Sequence, residues 1–167
     1  MKLPKHLLIT GNPATGKSTL AKALEKRLNG FTLIEISDFI REHQLIDGYD
    51  RKRNVEVYSP DVVAESIEKF LKSQSHVILT GPPLNLNPVE DFFAVVLSCL
   101  KPDVLKKRMR ARHYEERKIE ENIEAELLGI VLGEVESWFE HVLVLDTCSI
   151  TLEEAIALIL SSFVETE

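Results

Sequence analysis

A chain of 167 residues, 44% hydrophobic and 28% charged, can bury one sizeable core but is short for two, so a single domain over 1–167 is expected. Its formal charge of -7 argues against general nucleic-acid binding, which needs clustered Lys and Arg to release counterions from phosphates. No apolar run reaches the roughly 18 residues of a membrane span, and the apolar stretch in MKLPKHLLITGNP is too brief for a secretory signal. No membrane partner and a cytoplasmic location follow as expectations. Cys99 and Cys148 stand alone, so neither a zinc site nor a disulfide is suggested and both thiols are expected to be reduced.

Residues 6–10, HLLIT, read as a short strand, and Lys17 to Leu28 carries apolar residues at helical spacing after a glycine-containing loop. Thr32 to Ile36 reads as a second strand, with Ser37 or Asp38 capping a short helix at FIREH. Gln44 to Pro60 is polar, carries the turn-like Asp47-Gly48 and has no clear period, which predicts an irregular excursion. Asp61 to Lys72 reads as a helix, His76 to Thr80 as a strand ending at Gly81-Pro82-Pro83, and Phe93 to Cys99 as the most evidently buried strand. Pro102 opens a helix bearing the basic run KKRMRAR, and Ile119 to Phe139 reads as one long helical stretch with Ile123, Leu127, Ile130 and Val131 facing inward. His141 to Leu145 reads as a fifth strand, and Thr151 to Phe163 as a closing helix with Thr151 capping and Glu154 three residues on.

Alternating strands and helices predict an α/β fold, a three-layer arrangement around a five-stranded parallel sheet with right-handed crossovers. Ligands of such sheets sit beyond the carboxyl ends of the strands, here after Thr10, Ile36, Thr80, Cys99 and Leu145.

Gly11, Asn12, Pro13, Ala14, Thr15, Gly16, Lys17 and Ser18 fit GxxxxGK[ST] between a strand and a helix, the context a P-loop requires. Successive backbone N–H groups in such a loop point at the β-phosphate, and the helix that follows adds the positive end of its dipole. Gly11 and Gly16 permit close backbone approach and positive φ, and Lys17 places a mobile cation against the β- and γ-phosphates of ATP. The Ser18 hydroxyl can join a Mg2+ shell, and Thr19 can reach the α-phosphate.

GNPATGKS, ISDFIREHQLIDGYD and RARHYEERKIEENIEAE together resemble the adenylate kinase isoenzyme 6 type family, with its archaeal adenylate kinase relatives, over nearly the whole chain. The resemblance implies a P-loop nucleoside monophosphate kinase of broad specificity that also hydrolyses ATP and assists late small-subunit maturation through a ribosomal protein partner. It puts the monophosphate-binding segment at about 35–57, with Ser37, Asp38 and Arg41 toward an AMP-like acceptor, and the lid at about 111–121, with Arg112 over the donor nucleotide. Arginine suits both places because its planar fork gives two hydrogen bonds to one phosphate. Arg41 can instead be an exposed charge on a short helix, the basic run a solvated face paired with Glu115, Glu116, Glu120 and Glu121, and Asp38 and Asp47 a cap and a turn former.

The chain departs from the family's pattern at one strand end. Where an aspartate, one residue and a histidine are expected, HVILTGPPL has Thr80 at the aspartate position and Pro82 at the histidine position. Thr80 carries no charge to balance a metal, so weaker Mg2+ affinity is expected, with nucleotide binding less affected than catalytic rate.

Overall fold

In the computed structural model, which describes residues 3–86, 89 and 91–163, the central strand β1 (His6–Gly11) is buried along its whole length and leads through the glycine loop into α1 (Lys17–Arg27). The chain continues through β2 (Thr32–Glu35), α2 (Ile36–Glu42), the strands β3 (Ile46–Asp50) and β4 (Val55–Tyr58), α3 (Pro60–Leu71) and β5 (Val77–Gly81). It closes with β6 (Phe92–Ser98), α4 (Pro102–Ala111), α5 (Glu116–Leu127), α6 (Ile130–Trp138), β7 (Val142–Asp146) and α7 (Leu152–Ser162). Five parallel strands stand in the order β2-β5-β1-β6-β7, the expected α/β sheet.

Two cores cover its faces, as period-2 alternation of apolar strands demands. Leu7, Ile9 and Ile78 point to one side, against Leu20, Ala21 and Leu24 of α1 and Ala155, Ile156 and Ile159 of α7. Leu8, Val77 and Leu79 point to the other, against Phe39, Val63, Ile67 and Val135. Each such fully buried Leu or Ile contributes about 1.5–3 kcal/mol, which fixes β1 and the loop that leaves it. The α7 start forms the expected capping box: Thr151 Oγ1 accepts from the Glu154 N–H at 3.1 Å, and Glu154 Oε2 accepts from the Thr151 N–H at 2.7 Å.

Four expectations are corrected. Residues 44–60 are not irregular, because β3 and β4 form an antiparallel hairpin. Its residues are exposed or half-buried, so burial never imposes the alternation by which strands are recognised. Ser37 and Asp38 do not cap α2, which starts at Ile36 with Glu35 preceding it. The stretch 119–139 is two helices: Gly129, at φ 63, breaks it, and Leu127 and Ile130 are exposed beside the break, at 60% and 48%, while Ile123 is buried.

The fourth correction concerns the thiols, since Cys99 and Cys148 are joined in a disulfide across a Cα–Cα distance of 5.1 Å. They stand 49 positions apart in sequence, but Ser98 of β6 pairs with Asp146 of β7, so the parallel register brings the following residues together. A loop of this length makes the crosslink worth about 4 kcal/mol through the unfolded chain. Reduction is expected to lower the melting temperature by about 10 °C. Thermal melts with and without a thiol reductant check this, together with thiol titration of the denatured, unreduced protein.

Candidate active site

The loop Gly11–Gly16 holds its shape through its own contacts. Thr15 Oγ1 donates to the Asn12 carbonyl at 2.7 Å, and the Lys17 ammonium donates to the Gly11 and Asn12 carbonyls, both at 2.9 Å. Ala14 and Gly16 lie in the left-handed region, at φ 64 and 98. Outside partners pin the loop as well: Arg108 Nη1 donates to the Ala14 carbonyl at 3.2 Å and Thr147 Oγ1 to the Thr15 carbonyl at 2.6 Å. Burial pushes the Lys17 ammonium down to about 8, with Arg112 adding to the depression and Glu126 opposing it.

Beside the loop lies a cavity of about 390 Å³, to which Thr19, Arg108, Arg112, Thr147 and Leu152 contribute. Arg108 and Arg112 therefore share one cavity with the loop, although Arg112 sits at the C-cap of α4 rather than inside it. Arg110 faces away and takes the solvated role, its Nε donating to Glu116 at 2.8 Å and its Nη2 at 3.1 Å. Ser18 is exposed at the start of α1, next to Lys17.

A second cavity, also of about 390 Å³, is lined by Ser37, Ile40, Arg41, Tyr49, Glu56 and Tyr58, with further residues of the hairpin. α2 and the hairpin build it together. Arg41 is 55% exposed in its side chain and lies 3.6 Å from Asp38 and 3.4 Å from Glu56, so its guanidinium is held at the cavity by weak, exchangeable ion pairs. Asp38 lies beside Arg41 and is not itself a cavity wall. Burial pushes the Tyr58 phenol up, keeping it a neutral hydrogen-bond donor.

Sequence reasoning missed Tyr49, Tyr58 and Glu126. The tyrosines belong to a hairpin read as irregular, and Glu126 resembles its acidic neighbours until the fold buries it. Thr80, 3% exposed, has a buried hydroxyl with no hydrogen-bond partner. The carboxyl edge of β5 therefore offers a single orphaned polar atom where a carboxylate was expected. A candidate ligand cluster among the described residues, Cys99, Asp146 and Cys148, has its two sulfurs joined to each other and so offers no thiolate pair to a metal. No described helix is long and apolar enough to cross a membrane.

A family model described as an AAA domain matches residues 7–129. "Adenylate kinase isoenzyme 6 homolog" of Caenorhabditis elegans is 33% identical over 150 residues, covering 89% of this chain and 82% of that protein. "Putative adenylate kinase" of Pyrococcus abyssi is 36% identical over 150 residues, covering 90% and 79%. The chain belongs to the adenylate kinase isoenzyme 6 family. Among solved structures, a gluconokinase from Sinorhizobium meliloti 1021 superposes with a TM-score of 0.66 at 17% identity, covering 98% of this chain and 94% of that one, so the two share a three-layer α/β P-loop fold. Within the isoenzyme 6 family, then, this chain combines an intact phosphate loop with an uncharged β5 edge.

Proposed function

We propose that the chain is a nucleoside monophosphate kinase that moves the terminal phosphate of ATP to AMP or a related monophosphate. The observation that carries this is the pair of cavities, one against the phosphate loop with Arg108 and Arg112, the other against α2 and the hairpin with Ser37 and Arg41. In this reading the backbone from Gly11 to Gly16, with Asn12, Pro13, Ala14 and Thr15, cradles the β-phosphate, while Lys17 leaves its two carbonyl partners for the β- and γ-phosphate oxygens. Thr19 meets the α-phosphate, and Arg112, carried by the lid at about 111–121, closes over the donor. The segment at about 35–57 takes the acceptor, with Ser37 and Arg41 on its phosphate and Asp38 beside Arg41.

The acceptor's phosphate oxygen attacks the γ-phosphorus of ATP as the bond to the β-bridging oxygen breaks, yielding ADP and the acceptor diphosphate. No covalent enzyme intermediate is required, because alignment, charge neutralisation and exclusion of water supply the rate. Mg2+ would be held at this site through Ser18, which is exposed beside Lys17, while the orphaned Thr80 hydroxyl is buried and supplies no charge to the metal. Bound there, it would neutralise charge on the phosphates. Assay of ADP formation from ATP with each nucleoside monophosphate tests the reading, and failure with all of them rejects it.

Thr80→Asp is expected to lower the Mg2+ concentration for half-maximal turnover and to raise the rate by about tenfold, by restoring a charge opposite the metal. Mg2+ titration of initial rates checks it. A second reading draws on that uncharged edge and on the formal charge of -7, which favours a basic partner. In it, ATP binding and slow hydrolysis switch affinity for a small-subunit ribosomal protein during ribosome maturation. Pull-down with small-subunit proteins, in ATP and ADP, tests it; no recovery in either state removes it.

A further inference from the structure

Glu126 lies near the end of α5, the helix that begins in the lid segment, and is buried at 8% exposure despite its charge. A buried carboxylate is tolerated only where its oxygens are satisfied, and here three donors converge on it. Asn12 Nδ2 of the phosphate loop donates to Oε2 at 2.6 Å, while the Cys99 N–H at 2.9 Å and the Ser98 hydroxyl donate to Oε1 at the end of β6. The two oxygens thus divide between two structures, one bonding the loop and the other the fixed sheet edge. Asn12 is itself buried, at 7% exposure, so it has little water to turn to if this acceptor is lost.

We propose that Glu126 is a positioning residue for the donor nucleotide, a buried strut that holds the phosphate loop through Asn12 in register with the β6 edge and the lid helix. It touches no substrate. Its effect falls on the donor site alone, because the acceptor cavity is built from α2 and the hairpin, which contribute nothing to the Glu126 cluster. In Glu126→Gln the carboxamide keeps the volume but only one end can still accept, so Asn12 must turn its amide over and a contact to a carboxylate becomes a weaker one between neutral groups.

The inference rests on the phosphate loop binding ATP, and the test separates the two. Binding of a non-hydrolysable ATP analogue with Mg2+ is measured by calorimetry for wild type, Glu126→Gln, Asn12→Ala, the double variant and Ser98→Ala, beside KM for the acceptor and thermal melts. No binding by wild type would reject the ATP site itself. With wild-type binding intact, Glu126→Gln and Asn12→Ala are each expected to weaken the analogue about tenfold, the double variant no further, and the acceptor KM to stay within about twofold. Ser98→Ala, which removes a contact on the sheet side only, is expected to bind like wild type. Additive losses in the double variant, or parallel losses for donor and acceptor, would overturn the proposal. Should Glu126→Gln fail to fold, Glu126→Asp, which keeps the carboxylate and shortens its reach, takes its place in the cycle with Asn12→Ala, and additive losses there count against the proposal.

Discussion

Lys17→Ala is expected to abolish ATP turnover, a loss of about 10²- to 10³-fold or more, because a charged donor aimed at the transferring phosphate acts mainly in the transition state. The fold should survive the change. Lys17 spends its ammonium on the Gly11 and Asn12 carbonyls, and the loop keeps the Thr15, Arg108 and Thr147 contacts without it. Initial rates, beside circular dichroism, distinguish lost chemistry from lost structure.

The same residue sets a pH dependence. Burial and Arg112 bring the Lys17 ammonium to about 8, so in the free enzyme its charge is present below that pH and lost above it. The kcat/KM for ATP is therefore expected to fall by about tenfold per pH unit on the alkaline side. Bound triphosphate favours the charged form, so the alkaline limb of kcat lies at higher pH. Profiles of both constants from pH 6 to 10 check the displacement.

Gly11→Ala is the second substitution with a large expected effect. A Cβ at this position would lie 2.4 Å from the Leu97 carbonyl oxygen and 2.9 Å from Thr15 Oγ1, at φ +152. Leu97 pairs with Gly11 across β1 and β6, so its backbone oxygen has no room to yield. The expected cost is about 2–4 kcal/mol, with loss of ATP binding as the loop shifts. Gly16→Ala is the informative contrast. Nothing lies within 4 Å of its added Cβ, and only the φ of 98 opposes the change, at about 1–2 kcal/mol. Denaturant unfolding and nucleotide titration of the two variants measure the difference.

The phosphate loop was legible because its chemistry is contiguous: eight residues between a strand and a helix contain both the reactive groups and the conformational licence. The sheet was legible for a related reason, since short apolar runs at regular intervals leave few other arrangements. Arg41 and Arg112 needed the family resemblance, and the fold adds the cavities on which they sit. Tertiary pairing stayed hidden. Asn12 and Glu126 are 114 residues apart, and Cys99 and Cys148 meet only because β6 and β7 are parallel neighbours. The hairpin escaped because neither of its faces is buried, and the α5–α6 break because the apolar run LLGIVLG continues past Gly129 with a second glycine, Gly133, that the helix does accommodate.

The position of β1 has a consequence for how the molecule breathes. Its amides are locked between β5 and β6 and shielded on both faces, so they can exchange with solvent only when the whole domain opens. The hairpin 46–58 lies outside that sheet as a two-stranded ribbon and can open at far lower cost. The strand that leads into the glycine loop and the hairpin that lines the Arg41 cavity thus differ widely in the cost of opening. On the proposed reading, the acceptor side would refit itself to each incoming monophosphate while the strand that carries the phosphate loop stays closed.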